Sequence, residues 1–91
     1  MSTKVSAGSR FYKQLSKVPT FIIDKVNFWI WEVQTSGIAN AMKRPGYHDE
    51  PLMGNRYGQR SVRLSRSYRL IYRVVEDRVH IELLEVNKHD Y

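Results

Sequence analysis

The sequence predicts one α+β domain over residues 1–91, with two N-terminal helices packed on a small curved antiparallel sheet. Three observations predict it. Between residues 20 and 38 the apolar residues recur at helical spacing. From residue 61 onward the pattern changes to period two, broken by short polar turns. A chain of 91 residues holds one modest core and no second domain.

The elements follow in order. Residues 3–7 read as a short first strand. Ser9 is placed to cap a helix running to about Lys17, with Phe11, Tyr12 and Leu15 on one side. Pro19 ends it, and Thr20 is the expected N-cap of the second helix. There Ile22, Val26, Trp29, Ile30, Val33 and Ile38 make an apolar stripe, stopped by Gly37. Trp29 lies on the stripe and belongs to the core; Trp31 falls off it and is left available to a partner. Residues 39–58, with two prolines and three glycines, read as a loop. Val62 and Leu64 alternate with Ser61, Arg63 and Ser65. The run "RSY" turns, "RLIYRVV" returns, "EDR" turns again, and "VHIELLEV" is the last strand: a three-stranded meander. In the middle strand Leu70, Tyr72 and Val74 share one face, and Arg69, Ile71, Arg73 and Val75 share the other. One face meets the helices, and the other stays open to water with its arginines.

The charge is as informative as the pattern. The net charge is +6, and between Glu50 and Glu76 stand six arginines and no acid: Arg56, Arg60, Arg63, Arg66, Arg69 and Arg73. Arginine's planar fork matches phosphate better than lysine's point charge, so the run suits a polyanion. The plainer reading, a solvated solubilising face, is the commoner use of such a run. There is no cysteine, so neither disulfides nor thiolate metal sites are available. The longest apolar run, "FWIW", is too short for a membrane span, and "MSTKVSAGSR" lacks the apolar stretch of a signal peptide, so a cytoplasmic protein is expected. His48, Asp49 and Glu50 form a possible ligand trio, but adjacent side chains splay apart. His80 and His89 stand elsewhere, so no metal and no cofactor is expected. A serine-nucleophile elbow, a P-loop and a dinucleotide fingerprint are all missing.

What remains is acid and base groups beside arginines. Glu50 opens "EPL", and His89 and Tyr91 stand in "NKHDY". Ribonucleolysis without a metal needs that inventory. A base removes the proton of a ribose 2′-OH, the oxygen attacks the adjacent phosphorus, an acid protonates the leaving 5′-oxygen, and a cation holds the charge between. Against this, a glutamate before proline is often a turn residue, and residues near a chain end are often merely solvated.

The stretches "HDEPLMGNRYGQRSVRLSRSYRLIY" and "VEDRVHIELLEVNKHDY" resemble the RelE/ParE superfamily of toxins from type II toxin–antitoxin modules. The resemblance covers residues 47–91. It implies the same fold, helices on a curved antiparallel sheet. In the RelE branch it implies an endoribonuclease that cuts mRNA in the ribosomal A site; in the ParE branch, a gyrase inhibitor without acid/base residues. Arg69 matches the arginine that holds the phosphate, and Glu50 falls on the glutamate of the YoeB-like members. His89 falls on the terminal acid, and Tyr91 resembles the near-terminal tyrosine that stacks on the target nucleotide. The roles of Glu50 and His89 are interchangeable at this point. Arg60 matches a basic strand residue, and Arg56, Arg63, Arg66 and Arg73 would contact RNA backbone. Val62 and Met53 depart from the pattern, standing where relatives carry lysine. The resemblance further implies a cognate acidic antitoxin and a toxin–antitoxin hetero-oligomer. A ParE-like gyrase inhibitor and an inactive RNA-binding or antitoxin-scaffolding domain are the rivals.

Overall fold

In the computed structural model, which describes residues 3–75 and 80–88, strand β1 (Lys4–Ala7) leads into helices α1 (Ser9–Leu15) and α2 (Thr20–Ser36). A short helix α3 (Ile38–Met42) and a 3₁₀ turn at Pro45–Tyr47 follow. Then come strand β2 (Glu50–Pro51), a second 3₁₀ turn at Gly54–Arg56, and strands β3 (Gln59–Arg63), β4 (Tyr68–Val75) and β5 (His80–Lys88). The sheet order is β1-β5-β4-β3-β2. The α+β class is as the sequence predicts. The sheet is mixed rather than wholly antiparallel, because β1 returns beside β5 in parallel, with Val5 opposite Ile81.

The helices differ in detail from expectation. Gly8 and Pro19 take the two N-cap positions, without side-chain caps, so Ser9 and Thr20 are the first helical residues. The first helix stops at Leu15, where the Ser16 hydroxyl donates to the Lys13 carbonyl at 2.7 Å. Gly37 breaks the long helix at φ +85°, a left-handed backbone that favours glycine, and α3 begins immediately after it. Most of α3 lies within residues 39–58, which the sequence predicts to be loop.

The core lies between the helices and one sheet face. Ile22, Val26, Trp29 and Val33 of α2 are fully buried against Val62, Leu70, Tyr72 and Ile81. The Trp29 and Tyr72 rings meet at 4.9 Å, a contact that adds roughly 0.5–1.5 kcal/mol beyond burial. A register shift lets β5 fit. Tyr72 pairs with Leu83 but Ile71 pairs with Glu85, so Leu84 has no partner across the ladder. Strict alternation from Ile81 and Leu83 would turn Glu85 into the core. The bulge turns Val86 there instead and sends Glu85 to the opposite face. The side-chain carbonyl of Gln14, on α1, accepts the Val86 backbone N–H at 2.9 Å just beyond this irregularity. No helix among the described residues is long and apolar enough to cross a membrane.

Candidate active site

Strand register decides which charged side chains meet. Glu50 pairs with Ser61, Ser61 with Ile71, and Arg63 with Arg69, so these five share the face away from the helices. Glu50 and Arg69 lie diagonally two strands apart, about 12 Å between Cα atoms by ordinary sheet spacing. Ser61 stands on the strand between them. A cleft of about 160 Å³ opens there, lined by His48, Glu50, Ser61, Arg63, Ser65, Arg66, Tyr68 and Arg69.

Its electrostatics are one-sided. Arg63 and Arg69 stand directly opposite on neighbouring strands, a like-charge pair that destabilises a sheet. Arg63, Arg66 and Arg69 form no ion pair among the described residues. The Arg69 Nε is buried without a hydrogen-bond partner among them. Glu50, an exposed residue, is the single carboxylate of the lining against three guanidinium groups. The arrangement has the composition of an anion site with one acid/base group at its edge.

The other arginines of the run are engaged elsewhere. Arg56 pairs with the buried Glu85 at 2.5 Å, and Arg73 pairs with Glu82 at 2.5 Å. Arg60 pairs with Asp49 at 2.6 Å and lines a different cleft beside Met42 and Val74, on the helix side of the sheet. Register puts Arg60 opposite the core residue Tyr72, so it does not stand with Arg69. His89 and Tyr91 lie outside the described residues. His48 was read in sequence as one of a ligand trio. The structure divides that trio: His48 and Glu50 line the cleft, and Asp49 turns inward. His48 reaches the cleft because its backbone is left-handed, at φ +43°, a conformation no sequence pattern announces.

The segment that brings His48 and Glu50 here is clamped twice. At one end the buried Glu32 of α2 accepts the Tyr47 hydroxyl at 2.7 Å and pairs with Arg44. At the other, Asp49, its side chain 1% exposed, accepts the Tyr72 hydroxyl at 2.5 Å and the Arg60 Nε. Burial first, and then the bond to Asp49, pushes the Tyr72 phenol well above its ordinary range; burial and then Glu32 do the same to Tyr47. A phenol whose pKa is raised on folding lends stability that is complete below its unfolded value of about 10 and lost as pH climbs above it. Denaturant midpoints are therefore expected to hold steady to about pH 9.5 and fall beyond pH 10. Tyr72→Phe should flatten that fall; an unchanged slope in the variant would remove this phenol as its cause.

No protein-family model matches the chain, and no curated protein matches it. Solved structures do. The chain is similar to a YoeB/ParE toxin from Agrobacterium tumefaciens, with 19% identity, 97% of this chain and 100% of that one covered, and a TM-score of 0.75. It is similar to YafQ from E. coli, with 15% identity, 96% and 93% covered, and a TM-score of 0.77. It is similar to the archaeal RelE–RelB complex from Pyrococcus horikoshii, with 20% identity, 97% and 96% covered, and a TM-score of 0.74. The chain thus has the fold of the RelE, YoeB and YafQ toxins over nearly its whole length.

Proposed function

We propose that this protein is the toxin of a type II toxin–antitoxin pair and an endoribonuclease that cuts mRNA, at the ribosome, to stop translation. The observation that carries the reading is the Arg63–Arg69 pair, without an acidic partner among the described residues, beside Glu50 in one cleft. A sheet keeps two opposed cations only at a cost, and a bound phosphate removes that cost. The shared fold with toxins solved beside their antitoxins supports the same assignment.

In this mechanism Arg69, assisted by Arg63, grips the scissile phosphate. Glu50 takes the proton of the 2′-OH, and the freed oxygen attacks phosphorus. The bond to the 5′-oxygen breaks as an acid protonates it. The products are a 2′,3′-cyclic phosphate, which opens to a 3′-phosphate, and a 5′-OH. Two histidines are candidates for the acid: His89, from the sequence, and His48, which lines the cleft. Tyr91 would stack on a neighbouring base. Arg66 lies at the cleft to hold flanking backbone. Arg56, Arg60 and Arg73 can contact RNA only while keeping or exchanging their acidic partners. The chemistry is complete with these groups and calls on no metal or cofactor. A cytoplasmic location and an acidic antitoxin, which would cover the basic surface in a hetero-oligomer, complete the proposal.

The test is induction of the wild-type chain, with primer extension on a chosen mRNA, with and without translation. Growth arrest with new 5′ ends, seen only during translation, is the expected result. Ends that appear equally without translation would keep the nuclease and remove the ribosome. Arrest with intact RNA and blocked supercoiling would replace the proposal with gyrase inhibition.

A further inference from the structure

The clamped segment at residues 44–50 separates two clefts, and Arg63 lines both. The second has a volume of about 380 Å³ and lies between this segment and α2. Phe28, 50% exposed, lines it, and the Trp31 ring stands 5.7 Å from the Phe28 ring and steadies it. Lys25, Arg44 and Arg63 supply its charge. The nearby carboxylate, Glu32, is buried and pairs with Arg44, so Lys25 and Arg63 are the lining cations without an ion pair among the described residues.

A half-exposed aromatic ring with cations at the rim is the combination that binds a single-stranded nucleotide: the base stacks and the phosphate is neutralised. An acidic peptide would satisfy the charges as well. The shared Arg63 favours nucleic acid, because it lines both clefts, with Arg69 in one and Lys25 in the other, and a phosphodiester chain repeats its charge from one nucleotide to the next. Resting on the ribonuclease reading above, we infer that this second cleft is a subsite for a nucleotide flanking the scissile phosphate. The base lies against Phe28, and its phosphate is held by Arg63 and Lys25. Phe28 is then a substrate-binding residue that takes no part in bond breaking.

The experiment uses a labelled single-stranded RNA oligonucleotide, 2′-O-methylated to prevent cleavage, titrated onto the full chain by fluorescence anisotropy. A stacked base contributes enough that Phe28→Ala is expected to weaken binding by about tenfold, with Phe28→Trp restoring it. Lys25→Ala is expected to lower the salt slope by about one. An oligonucleotide with one base removed, moved along the strand, should reach a position where Phe28→Ala costs nothing further; a folding defect would not show that position dependence. Unchanged binding in Phe28→Ala and Lys25→Ala, with loss in Arg63→Ala and Arg69→Ala, overturns the subsite and leaves the nuclease reading standing. Wild-type chain that binds no RNA overturns the subsite, while the nuclease reading is decided separately by primer extension during translation. Unchanged RNA binding with lost capture of an acidic partner protein assigns the cleft to that protein and overturns the subsite.

Discussion

Arg69→Ala is expected to lower RNA cleavage by about 10²- to 10³-fold, the usual effect of removing one donor from developing transition-state charge. Its second effect points the opposite way. Arg69 faces Arg63 across the β3–β4 ladder with no acid to neutralise them among the described residues. Removing one of two opposed cations relieves repulsion, so the melting temperature should hold or rise, by up to roughly 1 kcal/mol of stability. A structural arginine would behave otherwise: its loss would lower stability and leave any chemistry alone. Arg69→Lys separates charge from shape, because lysine keeps the cation and loses the fork that grips two phosphate oxygens. Partial activity is expected of it. Cleavage rate and thermal melting on the same three proteins decide the matter; a destabilised Arg69→Ala with normal cleavage would sink the assignment.

Asp49→Ala is expected to carry the largest stability loss among the polar residues near the site, about 3 kcal/mol. The carboxylate is almost wholly buried and accepts from two groups, the Tyr72 hydroxyl and the Arg60 guanidinium. Its removal strands both, and stranded buried polar groups cost more than the bond itself contributed. The change also frees one end of the segment that carries His48 and Glu50, so cleavage should drop further than the lost folded fraction accounts for. Urea denaturation of Asp49→Ala, Tyr72→Phe and the double variant measures how much of the effect the pair shares. A loss below about 1 kcal/mol would mean that water replaces the carboxylate without difficulty.

Much of this architecture was legible because burial imposes a period. The stripe from Ile22 to Val33 and the alternation around Val62 and Leu70 both reflect one apolar face. Features that depend on pairing were not legible. Nothing in "HIELLEV" says that Leu84 is the extra residue, since only the partner strand reveals the shift. The two residues of β2 are too short for any period, and α3 is barely longer than one turn. The same limit governed the arginines. The resemblance singled out Arg60 as a basic strand residue; register across a turn sets Arg63 opposite Arg69 and turns Arg60 toward Asp49. Glu50 and Arg69 stood out through their resemblance to known toxins, and they do line one cleft. His48 was hidden because its position depends on a left-handed backbone and two distant clamps.

The parallel pairing of β1 with β5 bears on how the molecule assembles. It joins partners at opposite ends of the chain: Ser6 and His80, bonded at 2.6 Å, are 74 residues apart in sequence. Closing so long a loop is slow, so the β3–β4–β5 hairpins should form first and β1 should dock last. Until it does, the outer border of β5 is an unfilled template that accepts any extended segment, including β1 from another molecule. Crowded refolding should therefore yield strand-exchanged dimers, whereas dilute refolding should yield monomers. Hydrogen exchange on the native chain should find the Val5–Ala7 amides opening well before those of β4; equal protection would place β1 in the folding nucleus instead.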